Sequence, residues 1–281
     1  MAVPPLEALH AAGFEIALVV TGADKRRGRG RTVSPTPVAL AALALDLPIS
    51  HDVADAPGVG ADLGVVVAFG QIIRTPVLEA LPMVNIHFSL LPRWRGAAPV
   101  ERALLEGDER TGVCVMAVEE GLDTGGVYAR SELAIRQTNT AAELATQLTE
   151  LGSTLLVEAL QGGLGEPEPQ VGEPTYAHKL TNDDRRLDWT APAEVLHRIV
   201  RVGGAWTTFR GRRLKVLDAV IDAGDDGAGA PGALDGNRVS AGSGALRLVT
   251  VQPEGKGPVA VADWLNGARP NPGELLGEAA S

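Results

Sequence analysis

Leu63-Gly-Val-Val-Val-Ala-Phe-Gly70 is a continuous apolar run bounded by glycines. A strand with water on one face alternates apolar and polar residues. This run does not alternate, so both faces want cover. That is the pattern of a buried strand in a parallel sheet layered with helices. Its neighbours repeat the theme through the first 160 residues. Expected helices are Pro4–Ala12, Thr36–Leu47, a short one at Pro76–Ala80, Ala97–Leu105 and Thr140–Leu160. Expected strands are Phe14–Thr21, Met83–His87, Thr111–Val118 and Gly126–Ile135. Strands alternating with helices imply an α/β fold, here a Rossmann-like parallel sheet.

The pattern changes after Gly162. Gly162 to Pro174 is rich in Gly, Pro and Glu and reads as a linker. One helix, Pro192–Val202, is followed by short strand-like pieces at Trp206–Arg210, Leu214–Ile221, Ala245–Gln252 and Pro258–Ala262. Glycine-rich turns separate them, which suggests a small β-barrel-like domain. The expected boundaries are 1–163, a linker at 164–184, and 185–281.

Composition narrows the function classes. The 281 residues carry one cysteine, Cys114, so an intramolecular disulfide and a cysteine-cluster metal site are both excluded. A reducing, cytoplasmic compartment fits. No apolar stretch approaches the ~20 residues of a membrane span, and no membrane attachment is expected. Net charge is −10, which by itself speaks against nucleic acid. The average hides two basic clusters without an acid: Lys25, Arg26, Arg27, Arg29 and Arg31, and then Arg198, Arg201, Arg210, Arg212, Arg213 and Lys215. Such patches bind polyanions even on an acidic protein, although each also reads as a solvated surface face.

The chemistry concentrates at one strand end, Asn85-Ile86-His87-Phe88-Ser89-Leu90-Leu91-Pro92. Ligands of open parallel sheets bind at C-terminal strand ends. Asn85 and His87, two apart on a strand, face the same way. A second polar loop, Glu119 to Gly126, contains Asp123, which reaches His87 if the two strands are neighbours. The plain alternatives are a strand-end histidine bonded to a carbonyl and an acidic turn. His10, His51, His178 and His197 read as surface or capping residues, and Trp206 and Trp264 as packing of the second domain.

Asn85-x-His87-x-Ser-Leu-Leu-Pro-Arg-Trp-Arg-Gly-Ala-Ala-Pro99, followed by Gly121-Leu-Asp-Thr-Gly125, resembles the formyltransferases that use 10-formyltetrahydrofolate. The Arg-Trp-Arg-Gly-Ala-Ala-Pro run is most similar to the members that act on methionyl-tRNA. The likeness continues through the Gly-Arg-Gly loop near residue 29, Tyr176-Ala-x-Lys-Leu180 and Asp188-Trp189. It implies catalytic roles for Asn85, His87 and Asp123, and folate contacts at Ser89, Leu90, Leu91 and Pro92. It implies a tRNA-contacting loop over about Asp24 to Pro37, carrying Lys25, Arg26, Arg27, Arg29 and Arg31. The second domain would be an oligonucleotide-binding-like barrel that helps hold tRNA. The expected reaction passes the formyl group from 10-formyltetrahydrofolate, as co-substrate, to the amino group of initiator methionyl-tRNA, in support of translation initiation. No metal is expected, and the protein is expected to act as a monomer. Protonated His87 and Asn85 would donate to the oxyanion, while Asp123 raises the imidazole's pKa and, through water, helps remove the amine proton.

Rivals remain within the same likeness. Sugar-nucleotide formyltransferases share the two-domain plan, a purine-pathway enzyme lacks the second domain, and a hydrolase would release formate. A non-catalytic folate- or tRNA-binding relative has one motive. The resemblance implies a first strand and glycine turn ahead of Met1, central in the sheet. Without it, its neighbours are expected to expose unpaired backbone groups, at about 1–3 kcal/mol each if buried.

Overall fold

The computed structural model describes residues 1–27, 32–222, 224 and 229–277. It divides into two compact units. The first comprises 1–100, 110–134 and 144–178; the second comprises 101–109, 135–143 and 179–281.

The first unit opens with α1 (Val3–Ala11), its prolines placed in the first turn, where the ring costs no helical hydrogen bond. Strand β1 (Val19–Val20) follows, then a short hairpin of β2 (Lys25–Arg27) and β3 (Thr32–Ser34). Helix α2 (Pro37–Ala44) is capped by Thr36, whose hydroxyl accepts from the Ala39 amide at 3.1 Å. Strand β4 (Ile49–Ser50) pairs with β1 in parallel. Strand β5 (Gly64–Val67), α3 (Thr75–Ala80) and β6 (Met83–His87) come next, with β5 and β6 parallel. The short β7 (Arg95–Gly96) leads into α4 (Pro99–Glu106). Strands β8 (Arg110–Ala117) and β9 (Val127–Ala134) then run antiparallel to their neighbours, giving a sheet ordered β5-β6-β8-β9. The switch has a length argument. Only the loop 118–126 joins β8 to β9, too short for the dozen or more residues of a parallel crossover.

Helix α5 (Ala141–Gln161) starts with a reciprocal cap. The Thr140 amide donates to the Glu143 carboxylate at 2.8 Å, and the Glu143 amide donates to the Thr140 hydroxyl at 3.2 Å. It buries Leu144, Leu148 and Leu156 completely. At Gly152 it comes so close to Ile86 and Val113 that a side chain there would meet both.

One feature of this unit departs from a continuous sheet. Strands β1 and β4 form a pair of their own, and β5 is the end strand of its sheet. Between them lies a cavity of about 490 Å³, lined by α1, residues 15–22 and 63–71. The valines of β5 are therefore only half-buried, although their sequence asks for cover on both sides.

The segment 164–178 returns along the first unit with specific pairings. Glu168 exchanges backbone hydrogen bonds with Val127 at 2.8 and 2.9 Å. Strand β10 (Tyr176–Ala177) pairs with β7 in parallel. Composition alone reads Gly162 to Pro174 as a linker. Its glycines and prolines instead shape an extended return whose backbone groups are met by loops far away in sequence.

The second unit folds around α6 (Ala193–Val202), whose Leu196 and Val200 face inward. Strands β11 (Trp206–Phe209), β12 (Arg212–Ile221), β13 (Leu234–Asp235), β14 (Arg238–Ser240), β15 (Ala245–Pro253) and β16 (Val259–Ala260) form one antiparallel sheet. A bulge at Val216 to Ala219 shifts the long β12–β15 register. Helix α7 (Val261–Ala268) closes the chain's last turn against a single core containing Trp189, Leu196, Val216, Leu248 and Trp264. Phe209 meets Trp264 edge-on at 5.1 Å. Among the described residues, no helix is long and apolar enough to cross a membrane.

Candidate active site

The candidate site stands at the C-terminal end of β6. Asn85 is partly buried, and its side chain has no hydrogen-bond partner among the described residues. His87, on the same face, is 5% exposed. Its Nε2 lies 2.8 Å from the Trp94 carbonyl oxygen. A carbonyl only accepts, so that nitrogen carries the proton. Trp94 reaches this position through a left-handed backbone turn, φ +63°, which aims its carbonyl back at β6.

The other nitrogen, Nδ1, looks at Asp123. The Asp123 Oδ2 lies 3.6 Å from it and accepts from the Gly96 amide at 2.7 Å. The expected approach of the 118–126 loop to His87 is thus present. Its geometry depends on glycine: a side chain at Gly125 would collide with the Ala117 carbonyl. Asp123 itself holds φ +51°, an uncommon conformation for a residue with a side chain.

Electrostatics revise one expectation. Burial pushes the His87 imidazole below its ordinary pKa, outweighing the opposing pull of Asp123 and of the Trp94 carbonyl. The neutral ring is therefore favoured near neutral pH. With Nε2–H committed to Trp94, Nδ1 is an acceptor beside a carboxylate acceptor. Two acceptors 3.6 Å apart want a proton donor between them. The Cys114 thiol, opposite His87 in the β6–β8 register, is held protonated because burial pushes its pKa up.

Two family models match the chain, one described as formyl transferase over residues 4–160 and the other as formyl transferase, C-terminal domain over 179–269. The chain belongs to the formyltransferase family. It is 44% identical over 273 residues to the methionyl-tRNA formyltransferase of Ruegeria pomeroyi, with 90% of this chain and 89% of that one covered. It is 43% identical over 300 residues to the methionyl-tRNA formyltransferase of Methylobacterium sp. strain 4-46, covering 98% and 96%. Among solved structures it resembles WlaRD, a sugar 3N-formyl transferase, at TM-score 0.67 and 16% identity, covering 91% of this chain and 95% of that one. HypX from Aquifex aeolicus in complex with tetrahydrofolic acid matches at TM-score 0.61 and 21% identity, covering 79% of this chain and 43% of that one. At such identities the structures speak for fold alone.

In this formyltransferase the segment Ser89–Pro92 divides its labour. Ser89 is fully buried and donates to the Arg93 carbonyl at 2.5 Å, which closes the loop on itself. Leu91 joins a small core with Cys114, Met116 and Val127. Leu90 and Pro92 stay partly exposed. The side chains at 89 and 91 therefore build the loop.

The two basic clusters differ. Lys25, Arg26 and Arg27 form one strand of the short hairpin, while Arg29 and Arg31 lie outside the described residues. In the second cluster several guanidiniums are already engaged. Arg198 binds the Glu106 carbonyl at 3.2 Å, and Arg201 binds those of Asn139 and Arg136 at 2.7 and 2.8 Å. Arg210 pairs with Glu274 at 2.6 Å, and Arg212 with Glu254 at 3.6 Å. Arg213 lies over the Trp206 ring at 4.3 Å and binds Asn182 at 2.7 Å. Much of this cluster is engaged within its own unit, while the Arg212 side chain stays 75% exposed.

Sequence reasoning missed Gln170. Its amide accepts from Arg95 Nε and Nη2 at 3.0 and 2.6 Å and donates to the carbonyls of Asp123 and Gly125 at 2.9 and 2.8 Å. Nothing local marks it, because it stands in the stretch that composition reads as a linker.

Proposed function

We propose that this formyltransferase moves a formyl group from 10-formyltetrahydrofolate to the amino group of initiator methionyl-tRNA. The observation that carries the reading is the convergence of Nδ1 of His87 and the Asp123 carboxylate beside the unpartnered Asn85 amide. The names and long alignments of its relatives support the acceptor.

The reaction needs a neutral amine to attack the formyl carbon. As the new C–N bond forms, negative charge develops on the formyl oxygen. The Asn85 amide donates to it, a contact worth about 3 kcal/mol in comparable sites. The attacking nitrogen must shed a proton. Nδ1 of neutral His87, with Asp123 beside it, takes that proton. The same proton then passes to the departing nitrogen of the folate as its bond to the formyl carbon breaks. No net proton is consumed. This role for His87, base first and donor second, replaces the protonated donor expected from sequence.

Leu90, Pro92 and the neighbouring backbone would wall the folate slot. The basic stretch with Lys25, Arg26, Arg27, Arg29 and Arg31 would contact tRNA phosphates, so affinity for tRNA should fall steeply with salt. Arg198, Arg201 and Arg210, being engaged within their unit, are left out of that surface. The test is one assay with 10-formyltetrahydrofolate, offering methionyl-tRNA or an amino-sugar nucleotide. Formylmethionyl-tRNA is the expected product. Preference for the sugar, or formate release without acceptor, overturns the proposal.

A further inference from the structure

Gln170 uses its whole hydrogen-bonding capacity at one place. A primary amide offers two acceptor lone pairs and two N–H donors. Here both lone pairs face Arg95, and both N–H groups face the 123–125 loop. The two clamped segments are the ones that hold the Asp123 carboxylate. Gly96, next to Arg95, donates its amide to that carboxylate at 2.7 Å. The Asp123 carbonyl itself accepts from Gln170 at 2.9 Å. The clamp is anchored from behind by the Glu168–Val127 backbone pair and by β10 on β7.

Asp123 needs such a clamp. Its backbone sits at φ +51°, and the loop around it is rich in glycine, so the chain there has cheap alternatives. A carboxylate only 3.6 Å from Nδ1 changes its effect on the imidazole sharply with small displacements. We propose that Gln170 is a positioning residue, which fixes Asp123 against His87 by tying the 93–97 turn to the 121–126 loop. This rests on the formyl-transfer reading above for its kinetic consequence, but the positioning itself is measurable without turnover.

The test compares Gln170→Ala, Gln170→Met, Asp123→Asn and the Gln170→Ala/Asp123→Asn double variant in the full chain. NMR titration of the His87 ring is the first readout. Asp123 is the charged group that raises the His87 pKa, and Cys114 across the strand pair stays protonated. Loosening Asp123 should therefore lower the His87 titration midpoint, in the same direction as Asp123→Asn. In the double variant the loss at Gln170 should add nothing further, because both changes act through one contact. Gln170→Met keeps the length of the side chain, loses both donors to the loop and adds no charge, so it should lower the midpoint too. It also gives the reading if Gln170→Ala does not fold.

The second readout is kinetic. Gln170→Ala should lower kcat by about tenfold to a hundredfold, the scale of an ångström-sized misplacement. KM for methionyl-tRNA should stay near that of the parent chain. An unmoved His87 midpoint in folded Gln170→Ala and Gln170→Met overturns the inference, as does an additive shift in the double variant. A parent chain that formylates nothing, yet shows the expected midpoint shifts, would overturn the function and leave the positioning role standing.

Discussion

The two halves of the first unit's sheet are built to different standards. On the β6–β8–β9 side, the loops around His87 and Asp123 are tied down by partners distant in sequence. Gly96, Trp94 and Gln170 all converge on two catalytic candidates. On the β1–β5 side, two strand edges face a cavity of about 490 Å³, and the valines of β5 are only half-covered. Preorganised chemistry needs the first standard, since a carboxylate and an imidazole must be held within a fraction of an ångström. The second half shows what an apolar strand looks like when its cover is incomplete.

The largest expected effect lies on the closed side. His87→Ala removes the proton acceptor and should lower turnover with methionyl-tRNA by about 10²–10⁴-fold in a chain that still unfolds cooperatively. Turnover within a few-fold of the parent would mean that the tight half is architecture alone.

The contrast can be sharpened with one substitution made on each side. Val115→Ala in β8 removes two methyl groups from a residue with no exposure. It should cost about 2 kcal/mol by denaturant unfolding, from lost burial and the hole left behind. Val66→Ala in β5 removes the same atoms beside an existing cavity and should cost less than about 1 kcal/mol. Equal losses would show that the cavity side is as well packed as its partner. Native-state hydrogen exchange gives the same comparison without mutation. Amides of β1 and β5 should exchange well before those of Val113 to Met116, which open only with the unit as a whole.

Legibility in the sequence follows the same divide. The strand over Met83–His87, the helix over residues 140–160 and the meeting of His87 with Asp123 were readable. Each depends on a local period, a cap or a motif at fixed spacing. Gln170 and the β10–β7 pairing were not readable, because a Gly- and Pro-rich composition reports only that regular structure is absent. It carries no information about which distant carbonyl a side chain will meet. The surroundings of the basic run at 198–215 were unreadable for a related reason. Charge in a sequence does not reveal whether a guanidinium points to solvent or, like Arg201, to a carbonyl of its own unit. The neutral state of His87 was also hidden, since desolvation depends on what covers the ring, and here burial outweighs the carboxylate.

The smallest expected effect tests that last point. The folded His87 pKa lies below its usual 6.5 because burial disfavours the charged ring. A working neutral base loses activity only when acid protonates it, so the acid limb of kcat/KM should fall below pH 6.5. Asp123→Asn removes a neighbour that raises the pKa, and should move that limb lower still, alongside its loss of rate. The stability linkage has the matching sign. Below pH 6.5 and down to the folded pKa, the unfolded chain binds the proton that the folded chain refuses, so this group's contribution to stability is complete above 6.5 and declines through that window on acidification. An activity that instead rises as the pH drops through 6.5 would make the protonated ring the working form. It would also return His87 to the donor role, and the closed half of the sheet would then be holding a cation rather than a base.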